Sequence, residues 1–124
     1  MGSLKKTVIM GATAKSGRYA YMAAERLAGA NVEFVPVGFK NGEVLGQTIL
    51  SLKEKPMIED VHTVTMYIGS KKQPEWYDYI LSLNPKRIVF NPGTENEEFQ
   101  NIARNQNVEI IEGCTLVMLS IGTY

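Results

Sequence analysis

The loop Gly11-Ala12-Thr13-Ala14-Lys15-Ser16-Gly17-Arg18 holds the residues whose types and spacing point most directly to chemistry. It follows the β-rich run Thr7 to Met10 and opens a helical pattern. In that setting, amides at a helix start can meet a phosphate. Gly11 permits a tight turn, and Ala12 and Thr13 are small enough for a ligand to approach the backbone. Thr13 and Ser16 add hydroxyl donors, and Arg18 adds a cation. Gly17 is expected to allow close packing at the helix start. The spacing departs from the G-x-G-x-x-G fingerprint: Thr13 replaces the second glycine, and the third moves to Gly17.

The end of the second β-rich run separates ligand classes. NAD sites carry an acidic residue about 20 residues after the glycines, where it bonds the ribose hydroxyls. Here that stretch reads Val35-Pro36-Val37-Gly38-Phe39-Lys40, with no carboxylate. A lysine suits a phosphate on the ribose. A phosphorylated adenosine, as in CoA or NADP, fits better than NAD.

Other reactive side chains are few. Cys114 follows the last β-rich run and precedes a short helix, where a thiol could be activated. Its plainer role is that of a small buried apolar residue. His62 lies at the start of the third run with Glu59 and Asp60, on the sheet edge away from the loop. Glu95, Glu97 and Glu98 cluster at a helix start, where they suit the helix dipole. Trp76, Tyr77 and Tyr79 read as the core and surface of one helix. One histidine and one cysteine exclude a two-histidine metal site, an all-cysteine zinc site and an internal disulfide. No metal site and no catalytic set is expected.

These residues need elements to hold them. The chain has 124 residues, enough for a single domain with one core. Basic and acidic residues balance at 13 each, which argues against general nucleic-acid binding. No long apolar run suggests a membrane segment or a secretory leader, so cytoplasmic residence is expected. Acylation at Met1-Gly2 is not expected, because Lys6 stands where Ser or Thr is wanted.

Five runs read as strands: Thr7 to Met10, Val32 to Val37, Thr63 to Ile68, Arg87 to Asn91 and Val108 to Ile111. Most are continuous apolar or β-branched runs, as in parallel sheets buried on both faces. Helical spacing predicts helices over Arg18 to Ala28, Pro74 to Leu83, Glu95 to Asn105 and Thr115 to Ile121. The alternation predicts an α/β, Rossmann-like doubly wound sheet of five parallel strands, ordered 3-2-1-4-5. The connection Gly38 to Val61 shows no long helix, and Thr48 to Leu52 reads as one short helical turn.

The whole pattern resembles the small bacterial CoA-binding proteins, whose fold is like the N-terminal CoA-binding domain of the succinyl-CoA synthetase α subunit. Several pieces carry the resemblance: Val8 to Thr13 with Gly17-Arg18, Val35-Pro36-Val37 with Lys40, and Leu45-Gly46. Asn91-Pro92-Gly93-Thr94-Glu95-Asn96 and Glu112-Gly113-Cys114 add to it. The resemblance implies binding of the 3′-phospho-ADP end of CoA. Gly11, Ala12, Thr13, Ser16, Gly17 and Arg18 would form the phosphate loop, with Gly38, Phe39 and Lys40 at the ribose phosphate. Met66, Tyr67 and Ile68 would wall the adenine. Relatives often carry Asn where Gly38-Phe39 stands, and Arg and Pro after the third strand, where Lys71 and Lys72 could supply the charge.

Synthetases of this kind use a histidine on a second domain, which is not seen here. The expected function is a CoA or acyl-CoA binding module without catalysis of its own, free of any metal and able to form a mixed disulfide between CoA and Cys114. The alternatives are an NADP-dependent reductase and a ligand-free interaction subunit. A homo-oligomer or a partner subunit is compatible with all of these.

Overall fold

The structure, a computed structural model, describes residues 5–124. The Met1-Gly2 reading falls outside them. Val8, Ile9 and Met10 are wholly buried, as are Val64, Met66, Ile88, Val89 and Phe90. Side chains of one strand point to opposite faces, so strands buried throughout must be covered on both sides.

In chain order the elements begin with β1 (Thr7–Met10), α1 (Tyr19–Gly29) and β2 (Phe34–Gly38). The short strands β3 (Glu43–Val44), β4 (Gln47–Thr48) and β5 (Leu50–Ser51) follow, then β6 (Thr63–Met66) and α2 (Tyr77–Ser82). The chain continues through β7 (Arg87–Phe90), α3 (Glu97–Arg104), β8 (Glu109–Glu112) and α4 (Thr115–Ile121). Short 3₁₀ turns at Leu52–Glu54, Ser70–Lys72 and Pro74–Trp76 link them.

The main sheet is parallel throughout, in the order β5-β2-β1-β6-β7-β8. Val8, Met10, Met66, Ile80 and Phe99 form the core on the face of α2 and α3. Ile9, Ala20, Ala24, Leu27 and Met118 form the core on the face of α1 and α4. The single-domain, doubly wound α/β reading therefore stands.

The five-strand count does not. The sheet has six strands, and the third expected run, at Thr63, lies beside the first rather than outside the second. The edge beside β2 belongs to β5 instead, through Leu50 and Ser51 paired with Val37 and Gly38. The cause is the connection after β2. Instead of a helix it makes the small hairpin β3-β4, turned by Leu45 and Gly46 with φ of +50° and +82°. The turn expected over Thr48 to Leu52 is thus the end of β4 and all of β5, and the 3₁₀ turn begins only at Leu52. Pro36 is tolerated because β5 covers only the last two residues of β2, leaving its side of the strand as an edge.

Two helices are shorter than expected. The second starts as a 3₁₀ turn at Pro74, so α2 proper begins at Tyr77. The third starts at Glu97, because the Asn96 side chain caps it by accepting from the Phe99 amide at 3.1 Å.

Candidate functional site

The strand order reverses between the parallel neighbours β1 and β6, since the chain winds outward from β1 on one side and from β6 on the other. In open α/β sheets, ligands bind at the carboxyl ends of the strands flanking such a reversal. Gly11 leaves β1 there and Tyr67 leaves β6.

The loop after β1 is built by two glycines. Gly11 has φ +101°, and a Cβ on it would lie 3.0 Å from the Tyr67 carbonyl. A Cβ on Gly38 would lie 2.4 Å from the Ala12 carbonyl oxygen. The two positions let the loop cross the ends of β2 and β6 at close range. The Gly11 and Ala12 amides both donate to the Val37 carbonyl, at 2.8 and 2.9 Å. They hold the loop's shape and do not face a ligand. Thr13 Oγ1 accepts from the Lys15 amide at 3.2 Å, which leaves its own proton to donate. The first-turn amides of α1 have no intrahelical acceptor, and no acidic side chain stands in that turn.

A cleft of about 470 Å³ opens beside this loop. It brings together Gly11, Ala12, Thr13, Arg18, Phe39, Lys40 and Tyr67 of the expected residues. The other five do not line it. Met66 and Ile68 are buried in the core, so they cannot wall a base. Gly38 is buried beneath the loop. Ser16 and Gly17 are exposed on the loop's outer side. Nothing lies within 4 Å of a Cβ on Gly17, so the close packing expected there is absent. Lys71 and Lys72 are exposed on their 3₁₀ turn and also stay outside the cleft.

Sequence reasoning missed Lys15, Tyr19 and the turn Pro92-Gly93-Thr94 as lining residues. The signal for the last was a Pro-Gly pair directly after a strand. Three cations, Lys15, Arg18 and Lys40, reach the cleft, and no carboxylate lines it. Among the described residues none of the three is ion-paired. Several cations lining one cleft favour an anion there.

The floor is rigid. Asn91 donates to Thr65 Oγ1 at 2.7 Å and to the Met66 carbonyl at 2.9 Å, and accepts from the Thr115 amide at 2.8 Å. It thereby ties β6 and α4 to the end of β7. Tyr67 sits over this network, and burial pushes its phenol up to about 12, against hydrogen bonds with Thr65 and Thr115. It is neutral at any physiological pH. Gln73 is fully buried and donates to the Ile68 and Thr94 carbonyls, both at 2.8 Å. Its oxygen accepts from Asn96 at 2.9 Å, so one side chain braces the loops after β6 and β7.

The remaining reactive residues lie elsewhere. Cys114 is half-buried at the start of α4, outside the cleft lining. His62 lines a separate hollow of about 790 Å³ at the amino ends of the strands, with Glu59 and Asp60. No group of three or more His, Cys, Asp or Glu suited to a metal occurs among the described residues. No helix among them is long and apolar enough to cross a membrane.

Comparison with known proteins extends this picture. A family profile described as "CoA binding domain" matches residues 5–120. The chain is similar to an uncharacterized protein of known crystal structure, with 57% identity and a TM-score of 0.94, over 99% of this chain and 100% of that one. It shares its fold with Prb, the PH1109 protein redesigned for binding, at 20% identity and TM-score 0.85, over 97% of this chain and 85% of that one. It shares it also with cell-free ID.343 from Thermus thermophilus, at 18% identity and TM-score 0.81, over 97% and 90%. Among curated proteins none matches.

Proposed function

This chain belongs to the family of CoA binding domains, and we propose that it binds CoA or acyl-CoA through the cleft at the carboxyl ends of β1, β2, β6 and β7. One observation carries the reading: Lys15, Arg18 and Lys40, unpaired among the described residues, line a cleft with no carboxylate. CoA presents a diphosphate and a ribose phosphate, and the cations answer that charge. The diphosphate lies at the start of α1, where Arg18 and the unpaired first-turn amides favour it. Lys40, after β2, takes the ribose phosphate. Acyl-CoA is accepted on the same contacts, because these involve the nucleotide end alone.

The protein acts as a binding module in this reading. Nothing lining the cleft pairs a nucleophile with a base, and His62 is at the other end of the sheet. The NADP-dependent reductase alternative has no support from the family match, which names CoA. Cytoplasmic location is part of the same proposal.

Thermal unfolding with CoA, NADP and NAD tests it. Ligand at 100 times its Kd adds about 2.7 kcal/mol of stability. For a domain of this size that raises Tm by several degrees. A rise with CoA and none with NAD is expected. Equal rises with NADP and CoA would reduce the claim to phosphorylated nucleotides in general, and no rise with any of them would overturn it.

A further inference from the structure

We propose that Phe39 is the stacking platform for the purine base, with the neighbouring Lys40 on the ribose phosphate; this rests on the CoA reading above. Of the three residues expected to wall the base, Met66 and Ile68 are buried, 0% and 3% exposed, and only Tyr67 lines the cleft. Phe39 lines the cleft and is 42% exposed, a large apolar ring left open to water. Its orientation is held from behind. The Trp76 ring lies 6.0 Å away at 62°, an edge-to-face contact. Trp76 is itself buried, and its indole N–H has no partner among the described residues. The pair therefore offers a fixed π-face, while its one polar group, the indole N–H, is buried outside the cleft lining.

The other cleft aromatics fit the role less well. Tyr67 is held over the Thr65–Thr115 network by its phenol. Tyr19 opens α1 next to Arg18, on the diphosphate side. Phe39 alone adjoins the cation assigned to the ribose phosphate, and in a 3′-phosphoadenosine the base and that phosphate share one ribose. Stacking on an aromatic face is tolerant of base identity.

Titration calorimetry of wild type, Phe39→Ala and Phe39→Tyr tests this, with CoA, adenosine 3′,5′-bisphosphate and 4′-phosphopantetheine as probes. Phe39→Ala is expected to weaken CoA and the bisphosphate alike, on the order of ten-fold, with Phe39→Tyr near wild type. Phosphopantetheine binding is expected to be unchanged. Trp76, the only tryptophan, gives a second readout: its emission should change on bisphosphate binding in wild type and not in Phe39→Ala. If Phe39→Ala weakens CoA but not the bisphosphate, Phe39 meets the pantetheine arm and the stacking proposal falls while the CoA reading stands. If it weakens neither, stacking falls in the same way. If wild type binds neither CoA nor the bisphosphate, both readings fall together.

Discussion

Lys6, at the amino end of β1, pairs with Glu33 at 3.8 Å and donates to the Glu59 carbonyl at 2.8 Å. Lys40, at the carboxyl end of β2, has no such partner among the described residues. The contrast extends across the sheet. At the amino ends Arg87 is buried, yet its Nε donates to Thr63 Oγ1 at 2.7 Å and its guanidinium lies 4.3 Å from the centre of the Tyr124 ring. Lys5 donates to the Tyr124 carbonyl at 2.6 Å, and the Thr7 and Tyr124 hydroxyls are hydrogen-bonded. At the carboxyl ends the cations stand in water around a helix start. The hollow at the amino ends is the larger, about 790 against 470 Å³. Size therefore misleads here. An anion site is better recognised by cations left unpaired than by the volume around them.

Breaking the carboxyl-end architecture should have the largest effect. Gly38→Ala drives a methyl group into the Ala12 carbonyl, 2.4 Å away on an unmoved backbone. It is expected to cost about 3 kcal/mol or more, since backbone rather than a flexible side chain must move. Urea denaturation measures this, and an unchanged midpoint would mean that the loop and β2 are not in close contact.

Arg87→Ala probes the other end. It should cost about 2–3 kcal/mol in lost stem packing, ring contact and hydrogen bonding. Its CoA affinity should stay within about two-fold of wild type, since surplus stability does not alter the folded site. A large loss of affinity in a folded Arg87→Ala protein would erase the distinction between the ends.

Arg18→Ala and Lys40→Ala should show the reverse. Each is expected to raise the Kd for CoA about ten-fold, close to 1.4 kcal/mol. Stability without ligand should stay within about 0.5 kcal/mol, as for other exposed positions without partners. Calorimetry and thermal unfolding on the same samples would separate the two effects; loss of stability without loss of affinity would count against the site.

The smallest effect concerns His62. Burial lowers its pKa first, then the nearby Arg87, Lys5 and Lys86 charges, with Glu109 opposing. Thr63 Oγ1 accepts from Arg87 and lies 2.7 Å from His62 Nδ1, an arrangement suited to the neutral ring. A histidine lowered in the folded state takes up its proton more readily when unfolded. Its neutral form thus supports the fold above the ordinary value of 6.5, and that support declines as pH falls below it. His62→Gln should flatten the dependence of Tm on pH between about 7 and 5. An unchanged slope would mean that other groups govern this range.

Much of the fold was legible because its signals are local. Strands buried on both faces read as continuous apolar runs, and α4 falls on Thr115–Ile121 as its spacing predicts. The phosphate-loop pattern was visible because a strand, a glycine and a helix start adjoin in sequence. Less of the site was legible. Met66, Tyr67 and Ile68 read alike as the end of a strand, yet β6 stops at Met66, Tyr67 reaches the cleft and Ile68 turns back into the core. Gly17 looked like a packing glycine, but the helix begins two residues later and leaves it in open space. Gly38, which has no left-handed φ, proved to be the position with no room for a side chain.

Local residue patterns mark the four helices and the five longer strands, and they show a cation where an NAD site would carry a carboxylate. Those properties depend on neighbours within a few residues. Tertiary structure alone decided that β5, two residues long, takes the sheet edge and that β6 lies beside β1. It alone brought Pro92-Gly93-Thr94 to the same cleft as Lys40. Both outcomes depend on contacts between segments far apart in the chain, which come into being only when the two faces of the sheet are buried together.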